Sequence, residues 1–154
     1  MMTKKFEEKT ITSESIYKGK IIDVRVDDVE LPNGQSSKRE LIDHPGAVAI
    51  IAITDENKIV MVEQYRKALE KSIIEIPAGK LEPGEKPEIT AKRELEEETG
   101  YQADTLDYVV SYYTSPGFAN EIIYVYEARG LMKVEDALEG DDDEFVELME
   151  VTLD

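Results

Sequence analysis

The chain has 154 residues, 35 of them acidic and 18 basic, for a formal net charge of −17. That length suits a single hydrophobic core, and the 41% hydrophobic fraction lies well above the disordered range. A surface this anionic repels nucleic-acid phosphates and anionic lipid headgroups, so neither is an expected partner, and the lack of cysteine excludes disulfides and thiolate metal sites.

The polar N-terminal stretch shows no apolar, signal-like segment, and no run reaches the roughly 20 apolar residues of a membrane-crossing helix, so a cytoplasmic protein is expected. Residues 20–31, rich in Ile and Val, predict a strand. Pro32-Asn33-Gly34 predicts a tight turn with positive φ at Asn-Gly, and residues 37–42 a returning strand. Residues 47–53 form a continuous apolar run, as in a strand buried on both faces. Strands follow at 58–65 and 72–76, the second stopped by Pro77-Ala78-Gly79. A helix is predicted over 87–99, with Pro87 in its first turn and Gly100 as its left-handed stop. Beyond it lie strands at 106–113 and 122–128, a weak helix or loop at 131–139, an acidic run at 140–144 and a last strand at 145–151. One central helix among strands predicts an α+β fold with a mixed sheet.

The helix ends in Arg93-Glu-Leu-Glu-Glu-Glu-Thr-Gly100, a density of like charge that costs helix stability. At about 100° per residue, Glu94, Glu97 and Glu98 share one face within an arc of about 100°, while Glu96 points nearly opposite. Thr90 and Ala91 lie on the same side and are small, which would leave that face open to a ligand. Arg93, four residues before Glu97, is placed to neutralise part of the repulsion. Three carboxylates on one face suit Mg²⁺ or Mn²⁺, hard cations that take oxygen ligands and bridge to phosphates. The competing reading is a solvated acidic face, and the flanking sequence bears on the choice.

From Gly79 to Tyr101 the chain reads GKLEPGEKPEITAKRELEEETGY. This resembles the Nudix box, with Gly79, Glu85, Arg93, Glu94, Leu95, Glu97, Glu98 and Gly100 at its fixed places and Tyr101 where an aliphatic residue is usual. The resemblance implies a Nudix fold, a mixed β-sheet sandwich with a catalytic loop–helix–loop. It implies that Glu94, Glu97 and Glu98 hold more than one divalent ion, with Glu85 close by. Arg93 would orient the carboxylates, and the backbone at Ala78 and Gly79 would approach metal or phosphate. Family enzymes hydrolyse a nucleoside diphosphate linked to another group.

Further segments are similar to the ADP-ribose pyrophosphatase subfamily. They are Leu31-Pro-Asn-Gly34, Arg39-Glu40, His44-Pro-Gly-Ala47, Glu63-Gln-Tyr-Arg66, Glu75-Ile-Pro-Ala-Gly79 and Thr114-Ser-Pro-Gly-Phe118, the last placing Pro116 sixteen residues after Gly100. The expected partner is then ADP-ribose, cleaved to AMP and ribose 5-phosphate. Tyr17 would stack the adenine, Arg39 and Arg66 would contact the ligand, and Pro116 and Gly117 would line its site. The general base would come from the acidic run, Glu144 first and Asp142 next, and His44 is read as structural. Residues 1–43 are expected to be N-terminal strands that help form a homodimer, and 44–154 the hydrolase domain. Three other readings stand beside this one: a hydrolase of another nucleotide sugar or dinucleotide, a non-catalytic ADP-ribose sensor, and an acidic interaction module.

Overall fold

The computed structural model describes residues 5–138 and 145–153. The chain divides into two compact units, one of residues up to Pro45 together with Tyr113–Glu121, the other of Gly46–Tyr112 and the residues from Ile122 onward.

The first unit is an antiparallel sheet of β1 (Lys9–Lys18), β2 (Asp23–Glu30) and β3 (Ser36–Asp43), in the order β1-β2-β3. The polar N-terminal stretch, for which no strand bounds are predicted, thus contains a ten-residue strand. All its residues are exposed, and its pairing with β2 shifts register twice, so it lacks the alternation that marks a half-buried strand. The β2–β3 turn also departs from expectation. Only Gly34 has a positive φ, at 81°, and the loop is closed by Leu31 N–H donating to the Gln35 carbonyl at 2.8 Å. This is a three-residue loop, in which the Asn33 side chain accepts from Gln35 N–H at 3.0 Å.

The second unit holds β4 (Ala47–Ala52), β5 (Lys58–Arg66), β6 (Lys71–Glu75), β7 (Ala78–Lys80), α1 (Pro87–Thr99), β8 (Tyr101–Tyr113), β9 (Ile122–Lys133) and β10 (Val146–Thr152). One sheet runs β7-β4-β9-β8 and the other β10-β5-β6. β4 is parallel to β9 and antiparallel to β7, so the α+β class with a mixed sheet holds. Val48, Ala49 and Ile50 are buried in succession, as a run with no polar face requires. The core joins Val48, Ile50 and Ala52 to Val60, Tyr126 and Ala128, and to Ala91 and Leu95 of the helix.

Two expectations are corrected here. Pro77-Ala78-Gly79 does not simply end a strand, because Ala78–Lys80 pairs with Ala47–Ala49 of β4. The stretch read as a weak helix or loop from residue 131 begins as strand, since β9 continues to Lys133 and pairing outweighs the weak helical pattern there, and the described residues beyond it, to 138, are turn and loop. The helix bounds fall as expected, with Pro87 in the first turn, Gly100 at φ 70°, and Gly100 N–H donating to the Glu96 carbonyl at 2.8 Å. No helix among the described residues is long and apolar enough to cross a membrane.

Candidate active site

α1 packs its acidic face inward. Thr90, Ala91, Glu94, Leu95 and Glu98 are all buried, and the helix lies against β4 and β7. This corrects the expectation that Thr90 and Ala91 leave a face open to a ligand. Their small side chains serve instead to bring the helix close to the sheet, Ala91 within the core and Thr90 fully buried. Thr90 Oγ1 donates to Glu85 Oε2 at 2.9 Å.

The carboxylates are held by three devices. First, β7 meets the helix at Gly79, where an added Cβ would stand 1.9 Å from Glu94 Cδ. Only a residue without a Cβ lets the Glu94 carboxylate lie against the strand backbone. The glycine that the Nudix box places at this position thus clears space for one of the box's own acids. Second, Ala78 N–H donates to Glu98 Oε2 at 2.9 Å, which fixes a carboxylate that is only 7% exposed. Third, the Arg93 guanidinium is a hub: Nη1 lies 2.8 Å from Glu94 Oε1 and 2.7 Å from Glu97 Oε2, and Nη2 lies 3.2 Å from Glu85 Oε2. Glu85, eight residues before Arg93, is brought to it by the loop that enters the helix.

The electrostatics follow from this hub. The hydrogen bond from Arg93 is the main reason that the Glu85 carboxyl sits below its ordinary pKa, against a smaller opposing effect of burial. Burial alone would pull the Arg93 pKa down, but Glu85, Glu94 and Glu97 more than offset it, so the guanidinium is held more firmly charged. Among the described residues no three acidic or histidine side chains form a ready-made ion cage. The reason is visible in the distances, since the acids of the helix turn toward Arg93 and the Ala78 amide. The donor set nonetheless fits Mg²⁺ or Mn²⁺: it offers carboxylate oxygens, the hard ligands these ions take, with Glu94 lying against the β7 backbone in space that a Cβ at position 79 would claim.

The other expected site residues have these surroundings. Arg66 Nε lies 2.6 Å from Glu75 Oε2. In the N-terminal unit Arg39 grips Glu8 with both edges, Nε at 2.7 Å and Nη2 at 2.6 Å, a forked geometry that also suits a phosphate. Each arginine thus already holds a carboxylate of this chain, which sequence spacing does not reveal, since Glu8 is 31 residues from Arg39. Tyr17 is 58% exposed, its ring over Gly19, where a Cβ would come within 2.6 Å of Tyr17 Cε1. Pro116 and Gly117 are exposed at the tip of the 114–118 loop. His44 Nε2 stands 3.7 Å from Glu121 Oε1. Asp142 and Glu144 lie outside the described residues. Tyr101, the one departure from the box, packs its ring partly against the core, and its hydroxyl donates to Glu150 Oε1 at 3.3 Å, a bond that no aliphatic residue makes.

Residues 43–154 match the NUDIX domain family, and residues 8–42 match the nucleoside diphosphate sugar hydrolase N-terminal domain. The chain is 66% identical over 153 residues to the methanol dehydrogenase activator of Bacillus methanolicus, covering 99% of this chain and 83% of that protein. It is 62% identical over 151 residues to the ADP-ribose pyrophosphatase of Bacillus subtilis (strain 168), covering 98% of this chain and 82% of that one. A solved structure of an ADP compounds hydrolase superposes with a TM-score of 0.84 over 96% of this chain and 79% of its own, at 24% identity, a likeness of fold. With its box residues gathered around Gly79 and Arg93 and these relatives on either side, the chain belongs to the Nudix hydrolase family.

Proposed function

We propose that the chain hydrolyses the diphosphate of ADP-ribose by attack of water on phosphorus, giving AMP and ribose 5-phosphate. The observation that carries this reading is the assembly of Glu85, Glu94 and Glu97 around Arg93, with Glu98 held on the Ala78 amide beside Gly79, in a chain 62% identical to an ADP-ribose pyrophosphatase. Glu94, Glu97 and Glu98 are the proposed holders of one or more Mg²⁺ or Mn²⁺ ions, with Glu85 and the Ala78 backbone beside them. When bound, such ions screen diphosphate oxygens and lower the pKa of water. Arg93 orients Glu94 and Glu97 by salt bridging and offsets the repulsion among the acids. Arg39 and Arg66 exchange their internal carboxylates for substrate phosphate, Tyr17 stacks the adenine, and Pro116 and Gly117 border the ligand. Glu97 and Glu98 are proposed to act as ion holders, and the proposed general base is Glu144, with Asp142 next. The N-terminal strands are proposed to pair two copies into a homodimer, in the cytoplasm.

The test is hydrolysis of a panel of nucleoside diphosphates with and without Mg²⁺, with products identified. ADP-ribose yielding AMP and ribose 5-phosphate only when Mg²⁺ is present is the expected result. No turnover of ADP-ribose beside turnover of another sugar nucleotide would favour the second reading, to which the match of residues 8–42 lends support. The relative at 66% identity adds a further arm: a methanol dehydrogenase assayed with and without this chain tests whether it too activates a dehydrogenase.

A further inference from the structure

We infer that Asn120 is a positioning residue that locks the 114–118 loop in place and thereby sets the affinity for substrate. The inference rests on the reading of Pro116 and Gly117 as substrate contacts.

The loop is closed at its base by Thr114 N–H donating to the Glu121 carbonyl at 3.2 Å and by Thr114 Oγ1 donating to Glu121 Oε2 at 2.6 Å. Within it the Ser115 carbonyl accepts from Phe118 N–H at 3.1 Å and from Ala119 N–H at 2.9 Å. The loop is then moored to the end of β3. Ile42 N–H donates to the Phe118 carbonyl at 2.8 Å, and Asn120 N–H donates to the Ile42 carbonyl at 3.2 Å.

The Asn120 side chain completes the mooring. An exposed asparagine ordinarily spends its amide on water. This one uses both ends on groups far away in sequence: Oδ1 accepts from His44 N–H at 2.8 Å, across 76 residues, and Nδ2 donates to Asp43 Oδ1 at 3.1 Å, across 77. Asp43 is itself anchored, its Oδ2 accepting from Arg25 Nε at 2.8 Å, and Arg25 also pairs with the buried Asp27. The partners dictate the residue. A main-chain donor and a carboxylate acceptor side by side call for one acceptor and one donor on a short stem, which the asparagine amide supplies on two separate atoms. An aspartate would set a carboxylate against Asp43, and an alanine would leave both partners to water. The tip itself is open: Gly117 has no positive φ, and a Cβ there would meet nothing within 4 Å. Neither backbone conformation nor packing within the chain calls for glycine at 117.

The test uses the full chain carrying Asn120→Asp, Asn120→Ala, or the exchange Asp43→Asn with Asn120→Asp, which reverses donor and acceptor. Both single variants are expected to raise KM for ADP-ribose about tenfold with kcat within about twofold, the cost of a lost bond to a charged group. Amide exchange at Ile42 and at residue 120 should quicken about tenfold, and the exchange pair should restore both readouts, with circular dichroism unchanged throughout. Unaltered amide exchange in the single variants overturns the inference, and so does faster exchange with an unmoved KM, or an exchange pair that restores neither. A wild-type chain inactive on ADP-ribose would instead sink the substrate reading, while the amide-exchange arm still decides whether Asn120 holds the loop.

Discussion

At position 79 one hydrogen atom separates the backbone from the Glu94 carboxylate. Gly79→Ala would drive a Cβ to within 1.9 Å of Glu94 Cδ, and Glu94 is itself wedged in place at 7% exposure. The substitution is expected to cost about 1–3 kcal/mol, as overpacking does, and to cut hydrolysis by about 100-fold or more as Glu94 is displaced. Urea melts and kcat measure the two effects. Gly117→Ala provides the contrast, since its Cβ meets open space and its backbone needs no glycine. Stability should change by less than about 0.5 kcal/mol, and KM alone should rise. Glu97 lies on the more exposed side of the cluster, its side chain 19% accessible. Glu97→Gln should therefore leave the melting curve nearly intact while removing Mg²⁺-dependent turnover, and full activity in that variant would refute its assignment as an ion holder.

Among the elements, those with a continuous apolar run or a strong stop were legible in the sequence. The helix of 87–99 has Pro87 and Gly100 to bound it, and β4 has its unbroken apolar run. β1 was hidden because a strand with no buried face carries no period of two. β7 was hidden because three residues are too short for any pattern, and because their pairing depends on β4, some thirty positions earlier. At the site, the identities of Glu85, Arg93 and the helix acids were readable from spacing. The hub at Arg93 was readable only in part, since Glu97 follows it by one helical turn but Glu85 reaches it through a loop. Glu8, Glu75 and Asn120 carried no local signal at all, because their partners are remote or ordinary. The N-terminal sheet yields a prediction of its own. Asp27 is buried at 3% exposure, and its carboxyl is held below the usual value chiefly by the hydrogen bond from Arg25. A folded-state pKa below the unfolded value means that the stabilisation is fully present above about pH 4 and is lost as pH falls through the lowered folded value. Wild type should thus melt higher than Asp27→Asn at neutral pH, and the gap should close as pH drops below about 4. A constant gap would count against the ionised pair.

On the scale of the whole molecule the net charge of −17 matters most. Self-repulsion of this size weakens the compact state, so monovalent salt should raise Tm. Mg²⁺ should raise it further than sodium chloride of equal ionic strength, because binding to the folded chain alone adds about 2.7 kcal/mol at a hundredfold excess over Kd, roughly 5–10 °C at this size. That surplus should vanish in Glu97→Gln. The guanidinium hub has one last consequence. A chain that carries its own counterion does not depend on the supply of ions to stay folded, so dialysis against a chelator should leave native circular dichroism, and activity should return within the mixing time once Mg²⁺ is restored. Arg93→Ala removes that built-in safeguard: the crowded acids would then lean on the solvent's cations, and folding itself, rather than turnover alone, would come to follow the magnesium concentration.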